Sequence, residues 1–591
     1  MDLHPIQAQA SDSERAAVDA VLGPATDAAP AGLRAVQARR HLLLPALHAA
    51  QSRVGWVSPG ALGYICERLH VPPAEGYGVA SFYALIALKE RPTVVAHVCD
   101  DIACKAAGAD AVVAELERSN PTGWVRSPCL GLCEQAPAAM LVVAGEQPFE
   151  RSWGHVTAAS VARAIDEKHV ADPPRTVLPQ AGSPDLRLLR RVGTVDPTSL
   201  DAYRAHGGYQ ALRRALDHGP VWVVREISES RLVGRGGAAF PTGRKWEAVA
   251  HRTVRPHYVV CNADESEPGT FKDRVLLEDD PFAVIEAMTV AGFATGSEKG
   301  FLYIRGEYPL AFERLTGAIA AAHARGLLGE NIMGRGLRFD IEIRRGGGAY
   351  ICGEETALFN SIEGFRGEPR NKPPFPIELG LFGKPTCVNN VETLVSTLDV
   401  IATGSASYVA LGTAGSSGTK LFCVSGQVMR PGIYEVPFGT LLGDLLALAG
   451  GVAPGRRLQT VLLGGAAGSF VTPDQLDLPL TFEDARRVSA TLGSGVVLVF
   501  DDTTAILPML ARIAAFFRDE SCGQCVPCRV GTVRQEELVT RLVRERPLGS
   551  VKQERHLLAE LGQAMRDASI CGLGQTASNA IESALDKLDL S

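Results

Sequence analysis

Hydrophobic residues in the first 85 positions recur every three or four residues, which is the spacing of amphipathic helices. Residues 41–47 follow this pattern, and Ser58-Pro59 offers a helix cap followed by a first-turn proline. Beyond residue 92 the pattern changes to short continuous apolar runs, which are typical of buried strands. We predict a small unit of alternating strands and helices that ends near residue 168, with a strand, a helix and a strand over 93–98, 107–117 and 139–143.

A second region of alternating strands and helices extends from about residue 203 to residue 404. Its clearest strands, 257–261 and 299–304, lead into glycine-rich turns. The stretch 420–471 has short strands around one helix, which predicts a small mixed α+β module. After residue 505 the chain returns to helical spacing with alternating charge.

Prolines and glycines concentrate between residues 171 and 184, so this stretch is the best candidate for an interdomain linker. The chain of 591 residues is about four times as long as one ~150-residue domain. We therefore predict a multidomain α/β protein with four domains and one linker. The domains are residues 1–168, 201–410, 411–500 and 501–591, and the linker is residues 169–200.

Composition and charge exclude several classes of protein. Hydrophobic residues make up 46% and charged residues 21% of the chain, which excludes global disorder. The 59 basic residues are offset by 66 acidic ones without any block of like charge, so we expect no nucleic acid partner. No apolar run reaches the ~20 residues that cross a bilayer, and the first residues lack the features of a secretory signal. We predict a cytoplasmic protein without membrane insertion.

The spacing of the 13 cysteines is the strongest chemical signal. Cys99 and Cys104 follow a predicted strand, and Cys129 and Cys133 lie in a second turn of the same small unit, which would bring four thiolates together. Such a pocket suits a [2Fe–2S] cluster, because Gly131 would let the backbone approach the sulfurs. The spacing alone leaves a four-cysteine zinc site or four buried thiols as alternatives.

A second set of cysteines lies near the end of the chain. Cys522, Cys525 and Cys528 form a C-x2-C-x2-C run, and Cys571 follows much later. Three closely spaced thiolates suit a [4Fe–4S] cluster, which takes one ligand per iron and needs a fourth from elsewhere. A zinc knuckle completed by a remote cysteine is the alternative, although zinc sites usually consist of two separated pairs.

The remaining cysteines each stand alone among apolar or small residues. A solitary thiol of this kind behaves as a small hydrophobic side chain. We therefore predict core positions for Cys66, Cys261, Cys352, Cys387 and Cys423.

Three turns beside predicted strands combine glycines with charged residues. The turn 234–246 contains four glycines and three basic residues, and its backbone N–H groups, with Arg235 and Lys245 nearby, could cradle a phosphate. It differs from the dinucleotide fingerprint G-x-G-x-x-G because Ala239 replaces the third glycine. The acidic turns 261–270 and 346–356 could accept hydrogen bonds from ribose or ribityl hydroxyls. Each turn alone could be a solvated loop, but three in one domain favour a nucleotide or flavin site.

These motifs together resemble a fusion of two flavin-side subunits of respiratory complex I, the 24-kDa-like and 51-kDa-like proteins. The same pair forms the diaphorase parts of NAD-linked hydrogenases and formate dehydrogenases. Residues 14–168 resemble the smaller subunit through the first four cysteines. The chain from about residue 200 onward resembles the flavin subunit through the glycine loop, residues 262–273, 350–356 and 384–393, and the last four cysteines.

The resemblance implies a fold and a cofactor for each domain. Residues 1–168 would form a helical preface and a thioredoxin-like [2Fe–2S] domain, and residues 201–410 a Rossmann-like domain for FMN and NAD(H). Residues 411–500 would form a β-grasp module, and residues 501–591 a helical bundle with a [4Fe–4S] cluster. The implied cofactors are therefore FMN, NAD(H) and one cluster of each kind.

The resemblance also implies roles for individual residues. Phe240 and Phe375 correspond to aromatic residues that stack on the NADH adenine. Lys372 corresponds to a residue that makes a polar contact with the nucleotide, and Glu267 and Glu355 correspond to residues that make polar contacts with it at the catalytic centre. An adenine-facing aromatic residue that some members carry shortly after the tryptophan is missing here, which predicts weaker stacking. The FMN positions are Gly234, Arg235, Gly236, Gly237, Lys245, Asn262, Asp264, Glu265, Tyr350, Gly353, Glu354, Asn389, Asn390 and Thr393.

The implied activity is that of an NAD-dependent diaphorase. NADH would pass a hydride to FMN, electrons would leave singly to the C-terminal cluster, and the reverse direction would reduce NAD. The [2Fe–2S] cluster would lie on the other side of the flavin. A flavin-free cluster scaffold is the alternative from another class of protein, against which Gly236, Asn262, Glu354 and Asn390 argue.

The resemblance implies a hetero-oligomer with a catalytic partner subunit. After eight cysteines are assigned, no further C-x-x-C pairs remain for a [NiFe] site, and no long additional domain remains for a molybdopterin. We expect the partner to carry further clusters and the terminal metal site. Among the candidate complexes, a soluble NAD-dependent formate dehydrogenase with a Mo or W pterin ranks first, an NAD-reducing [NiFe] hydrogenase ranks second, and complex I ranks third. A dimer of heterodimers is one arrangement of the subunits.

Overall fold

The computed structural model describes residues 8–24, 38–119 and 121–589. Ser58 caps the third helix by accepting a hydrogen bond from the Ala61 N–H, and Pro59 begins that helix, which confirms the helix start predicted from the sequence. The parts of the predicted helical preface in residues 1–7 and 25–37 lie outside the described residues. The helices of this region are α1 (Asp12–Leu22), α2 (Leu43–Val54), α3 (Pro59–Leu69) and α4 (Pro73–Ala80).

A four-stranded mixed sheet follows, in the order β2-β1-β3-β4. Strand β2 runs parallel to β1, and Cys99 at the end of β1 is paired with Ser127 at the end of β2. This register places the two cysteine-bearing turns side by side. The elements are β1 (Val94–Cys99), α5 (Ile102–Ala106), α6 (Ala109–Ser119), β2 (Trp124–Ser127), β3 (Ala138–Val143), β4 (Phe149–Gly154) and α7 (Ala158–Glu167).

The predicted linker packs closely against the rest of the protein. The backbone N–H groups of Arg187, Leu188 and Leu189 donate to the buried carboxylate of Glu435 at 3.0 Å each. Arg191 forms a buried ion pair with Asp280 at 2.6 Å. This segment therefore joins the domains as a fixed part of the core, because its backbone donors are satisfied by another domain.

The central region contains a five-stranded sheet and more helices than any other region of the described chain. Helix α13 is buried on nearly every side, which explains why its sequence is apolar all round. The elements are α8 (Leu200–Ala205), α9 (Gln210–His218), α10 (Pro220–Glu229), α11 (Thr242–Ala250), β5 (Tyr258–Ala263), α12 (Lys272–Asp279), α13 (Pro281–Thr295), β6 (Lys299–Ile304), α14 (Pro309–Ala324), β7 (Gly329–Ile332), β8 (Leu337–Arg345), α15 (Glu355–Ile362), α16 (Pro376–Leu379), β9 (Thr386–Asn390), α17 (Val391–Thr403) and α18 (Ser405–Val409).

The strand order of this sheet is β7-β8-β6-β5-β9, and β8, β6, β5 and β9 are parallel. Asn262 near the end of β5 is level with Asn390 at the end of β9, and Ile304 at the end of β6 is level with Arg345 at the end of β8. The carboxyl ends of four strands thus meet at one edge, where α/β proteins bind their ligands.

The third sheet has the order β11-β10-β14-β12-β13. Alternate residues of β10 point to opposite faces: Phe422 and Val424 pack within this module, whereas Leu421 and Cys423 join the core of the central domain. The elements are β10 (Thr419–Gly426), β11 (Gly432–Pro437), α19 (Leu442–Leu448), β12 (Leu458–Leu463), β13 (Ser469–Val471), α20 (Phe482–Arg487) and β14 (Val496–Asp501).

The C-terminal region is helical, as its hydrophobic spacing predicts. In the part of the chain that the structure describes, no helix is both long and apolar enough to cross a membrane. The helices are α21 (Ile506–Asp519), α22 (Val526–Val543), α23 (Val551–Ala568), α24 (Gly572–Thr576) and α25 (Asn579–Lys587). Short 3₁₀ turns occupy Arg40–Leu42, Cys133–Gln135, Tyr350–Gly353, Leu381–Gly383 and Pro473–Gln475.

The linker contacts predict a large stability effect at Glu435. Substitution Glu435→Ala leaves three buried N–H groups without their acceptor, so we expect the free energy of unfolding to fall by about 3 kcal/mol. Denaturant unfolding followed by circular dichroism measures this change. The control Glu146→Ala alters a side chain that is 86% exposed and should cost less than about 0.5 kcal/mol. Equal losses in both variants would contradict the role of Glu435.

Candidate functional site

The glycine loop at 234–237 lies against the start of helix α17. The Gly234 N–H donates to the Phe240 carbonyl at 2.9 Å, and the Arg235 N–H donates to Thr393 Oγ1 at 2.8 Å. A side chain at Gly236 would place its Cβ 3.1 Å from the Cβ of Asn390, and Gly237 has a φ of +114°. Glycine is therefore required here both by the backbone conformation and by the close approach.

The Arg235 side chain differs from the expectation that it helps to hold a phosphate. Its guanidinium is fully buried, donates to the Tyr408 hydroxyl and the Ser417 carbonyl, and lies 4.5 Å from the ring centre of Phe438. These contacts place the charge at the junction with the third sheet, where its Nε and Nη1 atoms have no hydrogen-bond partner among the described residues. Only the backbone of Arg235 belongs to the loop, because the side chain turns into the domain interface.

Asn262 and Asp264 follow β5 and face the turn that carries Gly353. Asn262 Nδ2 donates to the Gly353 carbonyl at 2.8 Å, and its Oδ1 accepts from the Asp264 N–H at 3.1 Å. A Cβ on Gly353 would lie 3.6 Å from Asp264 Oδ2, which is buried without a hydrogen-bond partner. Burial raises the pKa of Asp264 well above its usual value, although Arg305 opposes this rise.

Two lysines and two glutamates meet at the start of helix α15. Glu354 caps this helix by accepting from the Thr356 and Ala357 N–H groups. Lys372 Nζ donates to Glu354 at 2.9 Å and to Glu355 at 2.8 Å, and Lys245 Nζ lies 3.9 Å from Glu355. The predicted residues Lys245, Glu354, Glu355 and Lys372 are thus brought together as one partly exposed charged cluster.

The two asparagines at the end of β9 are held in fixed orientations. Trp246 Nε1 donates to Asn389 Oδ1 at 2.9 Å. Asn390 caps α17 through the Glu392 N–H, and its Nδ2 donates to Asp273 at 2.6 Å. Their side chains are consequently oriented by neighbouring groups of the same domain.

Glu267 reaches from the central domain to the third sheet. One carboxyl oxygen accepts from the Ala467 N–H at 3.1 Å and the other from Ser494 Oγ at 2.9 Å. Burial raises the pKa of the Glu267 carboxyl to about 7. The charge of this group therefore changes within the physiological pH range.

The resemblance places Glu265 among the cofactor-binding positions, but in the structure its carboxylate accepts hydrogen bonds from protein donors. It is buried and accepts from the Asp273 and Arg274 N–H groups at 2.9 Å each and from the Tyr308 hydroxyl at 3.0 Å. The structure thus assigns Glu265 to the start of helix α12. The position of Glu265 in the acidic turn does not reveal this role, because the donor residues reach its carboxylate only in the folded protein.

The aromatic residues of the predicted nucleotide site are exposed. Phe240 is 49% and Phe375 is 50% exposed, which leaves large apolar rings uncovered. The Lys245 ammonium lies 5.7 Å from the ring centre of Phe240. Exposed rings beside a cluster of charges suit stacking on a base, whose flat face needs an aromatic partner.

The structure brings together the four cysteines of the first set. All four are buried, the Sγ atoms of Cys129 and Cys133 lie 3.5 Å apart, and the Cys99 thiol interacts with those of Cys104 and Cys129. The Gly131 N–H donates to Cys129 Sγ at 3.4 Å. A backbone donor to a sulfur in a dry pocket is a feature of iron–sulfur sites.

The second set also converges. Cys522 and Cys525 precede α22, Cys528 lies in its first turn and Cys571 caps α24; all four line one cavity with Ile351. Because Ile351 belongs to the Tyr350–Gly353 turn, the turn that Asn262 contacts also contributes a residue to the lining of this cysteine cavity. Tyr350 itself is tied to the helical domain, since its N–H donates to Glu520 at 2.7 Å.

The five solitary cysteines are all buried, as the sequence predicts. Burial raises the pKa of each thiol, so that these side chains stay protonated and unreactive.

Several buried charges have roles that the sequence does not reveal. Arg305 follows β6 and donates to the carbonyls of Glu265 and Cys129, so that one cation joins the acidic turn to the first cysteine set. Lys272 lies 3.1 Å and Lys420 3.7 Å from the buried carboxylate of Glu392. In the sequence, each of these residues is visible only as a charge within an otherwise apolar run, which does not indicate the residue that it pairs with.

Comparison with protein families identifies each region. Residues 227–399 match the Nuo51 FMN-binding domain and residues 31–168 the thioredoxin-like [2Fe–2S] ferredoxin. Residues 421–466 match the SLBB domain, and residues 508–589 match the iron–sulfur binding region of NADH-ubiquinone oxidoreductase-F. These matches confirm the predicted multidomain fold and its cofactors, and they favour iron–sulfur clusters over zinc.

Individual relatives agree with the family matches. The F 2 subunit of the NADH-quinone oxidoreductase of Rhizobium meliloti is 44% identical over 67% of this chain and 94% of its own length. The HndC subunit of the NADP-reducing hydrogenase of Solidesulfovibrio fructosivorans is 42% identical over 67% of this chain and 80% of its own length.

A solved structure extends the likeness to nearly the whole chain. The NAD+-reducing [NiFe]-hydrogenase in its H2-reduced state contains a chain that is 32% identical, with a TM-score of 0.78 over 93% of this chain and 92% of that one. This chain is therefore an NAD-dependent oxidoreductase that belongs to the family of NADH-quinone oxidoreductase F subunits, with a thioredoxin-like [2Fe–2S] domain fused in front of its FMN-binding domain.

Proposed function

We propose that this protein is a diaphorase subunit that exchanges a hydride with NAD(H) and single electrons with a partner subunit. The observation that carries the proposal is the shared Tyr350–Gly353 turn. Its Gly353 carbonyl is bound by Asn262 in the candidate flavin site, and its Ile351 side chain lines the cavity of the C-terminal cysteines. Two redox sites separated by a single turn of backbone favour electron transfer between them.

The residues at the edge of the sheet fit FMN. Asp264 offers a buried carboxyl oxygen without a partner, and Gly353 leaves the backbone open beside it. The glycine loop lies next to the start of α17, where Gly236 and Gly237 lack side chains that would keep a phosphate from the backbone, and Lys245 supplies a cation. An amide-bearing ring, a polyol chain and a phosphate therefore each have a chemically suitable partner.

When bound, FMN supplies the exchange between a two-electron hydride and single electrons. The chain's own residues bind and orient the reactants. Phe240 and Phe375 offer faces for the adenine, while Glu267 and Glu355 can accept hydrogen bonds from the nucleotide. Lys372 and Lys245 hold Glu355 in place and offset its charge near the nucleotide phosphates.

The partner subunit would carry the terminal metal site. A nickel–iron partner is supported by the structural likeness to an NAD+-reducing [NiFe]-hydrogenase, one chain of which matches 93% of this protein. The sequence resemblance ranks a formate dehydrogenase with a molybdenum or tungsten pterin first, and the NADH-quinone oxidoreductase relatives support complex I as the third candidate. A cytoplasmic location belongs to the same proposal.

Capture of the tagged protein from its own cells, followed by metal analysis, tests the partner. We expect a hetero-oligomer with a redox metal in addition to the iron of this chain. Nickel would identify a hydrogenase, and molybdenum or tungsten would identify a formate dehydrogenase. A quinone-reducing complex without these metals would identify complex I. Recovery of this chain without any redox subunit would contradict the proposed role.

The cofactor content provides a second test. We expect the purified chain to contain FMN, about six irons from the two clusters, and NADH:ferricyanide activity. Substitution Cys571→Ala removes the fourth ligand, so the [4Fe–4S] signal in electron paramagnetic resonance should disappear while FMN stays bound. The control Cys66→Ala changes a buried thiol outside both sets and should retain both signals. Zinc in place of iron, or a preserved signal in Cys571→Ala, would refute the assignment.

The raised pKa of Glu267 predicts how nucleotide binding depends on pH. Below pH 7 the carboxyl is protonated and is a poorer hydrogen-bond acceptor, so the KM for NADH should be higher at pH 6 than at pH 8. In Glu267→Gln the KM should be raised about tenfold at pH 8 and should lose this pH dependence, because an amide does not titrate. Steady-state kinetics with ferricyanide measure both effects. A variant that keeps the wild-type profile would show that another group titrates.

A further inference from the structure

The N-terminal domain reaches into the central domain beside the candidate flavin site. The Ala84 N–H donates to the Gly348 carbonyl at 3.1 Å, and the Leu85 N–H donates to the Gly347 carbonyl at 2.9 Å. His48 Nε2 lies 3.1 Å from the Gly346 carbonyl. Three consecutive carbonyls at the end of β8 thus find their partners in the N-terminal domain.

The glycines at this contact are explained by the approach of the two domains. A Cβ on Gly347 would lie 2.7 Å from the Cβ of Tyr83, and a Cβ on Gly348 would lie 2.9 Å from Leu85 Cγ. Gly348 also has a φ of +82°, which glycine adopts without strain. Both glycines therefore leave room for the 83–85 segment.

The Tyr83 side chain passes beyond this backbone contact into a buried network of hydroxyls. Its hydroxyl donates to Ser361 Oγ at 2.7 Å, and Tyr303 Oη lies 2.8 Å from the same Ser361 oxygen. The Cys352 thiol interacts with these three hydroxyls. Tyr83, Tyr303, Ser361 and Cys352 are each at most 2% exposed, so water cannot replace these hydrogen bonds.

This network lies directly behind the turn that faces the candidate flavin site. Cys352 belongs to the Tyr350–Gly353 turn, and Ser361 belongs to helix α15, which begins at Glu355. The loop from Gly346 to Glu354 is consequently held at one end by the carbonyl contacts and at the other by Ser361. The first support comes from the N-terminal domain, and the second combines its Tyr83 with Tyr303 of the central domain.

We propose that Tyr83 is a positioning residue for FMN: by bonding Ser361 behind the Tyr350–Gly353 turn, it holds that turn in its flavin-binding shape. The affinity for flavin then depends on docking of the N-terminal domain and not only on the residues that touch FMN. This inference rests on the proposed function, because it concerns the same flavin site.

Substitution Tyr83→Phe in the full chain tests the proposal, because it removes the hydroxyl and keeps the ring. The dissociation constant of FMN, measured by flavin fluorescence on reconstitution of flavin-depleted protein, should rise about fivefold, the effect of one lost buried hydrogen bond. At saturating FMN the kcat with ferricyanide and the iron content should match the wild type. The control Tyr77→Phe removes a hydroxyl from a side chain that is 57% exposed in α4 and should leave FMN affinity unchanged.

Ser361→Ala removes the acceptor of the same hydrogen bond, and it replaces Tyr83→Phe if that variant does not fold. The double variant should bind FMN no more weakly than the weaker single variant, because the two side chains act through one contact. FMN affinity equal to that of the wild type in both Tyr83→Phe and Ser361→Ala would overturn the inference. Failure of the wild-type protein itself to bind FMN would instead overturn the proposed function.

Discussion

Parallel pairing of β5 with β6 and β9 is the constraint on which the rest of the site depends. The register aligns Asn262 with Asn390, and the residues after these strands must then emerge at one edge of the sheet. Residues that are more than a hundred positions apart become neighbours for this reason alone. The glycine loop contacts this edge through Thr393 and Asn390, so its place also depends on the end of β9.

Buried polar contacts between domains fix the surroundings of this edge. Glu435 binds the linker backbone, Arg305 joins the acidic turn to the first cysteine set, and Tyr83 bonds Ser361 behind the flavin-facing turn. Each of these groups would lose its hydrogen bonds if the domains separated, and while the domains are docked water does not reach the buried partners. The domains therefore form one redox unit in which the distance between sites is set by rigid contacts. Electron transfer between fixed centres requires such a frame.

Burial also controls the charges close to the reacting groups. Asp264 and Glu267 both have raised pKa values because they are removed from water, with few cations nearby to compensate. Lys245 and Lys372, by contrast, pair with glutamates in a partly exposed cluster. The proposed site thus has cations at its exposed side, whereas its buried side has carboxyl groups that can be neutral. This separation suits a site that binds an anionic nucleotide and accepts a hydride.

The sequence alone determined the multidomain α/β class, the helical and strand regions, both cysteine sets and the three charged turns. It could do so because hydrophobic spacing, cysteine spacing and glycine content are local properties of the chain. Only the tertiary structure decided how the charges of the predicted site residues are arranged: the Arg235 side chain turns into the domain interface, and the Glu265 carboxylate accepts from buried protein donors. The same holds for Tyr83, whose partner Ser361 lies 278 positions away. Burial and pairing at such separation arise from packing, and no local pattern records them.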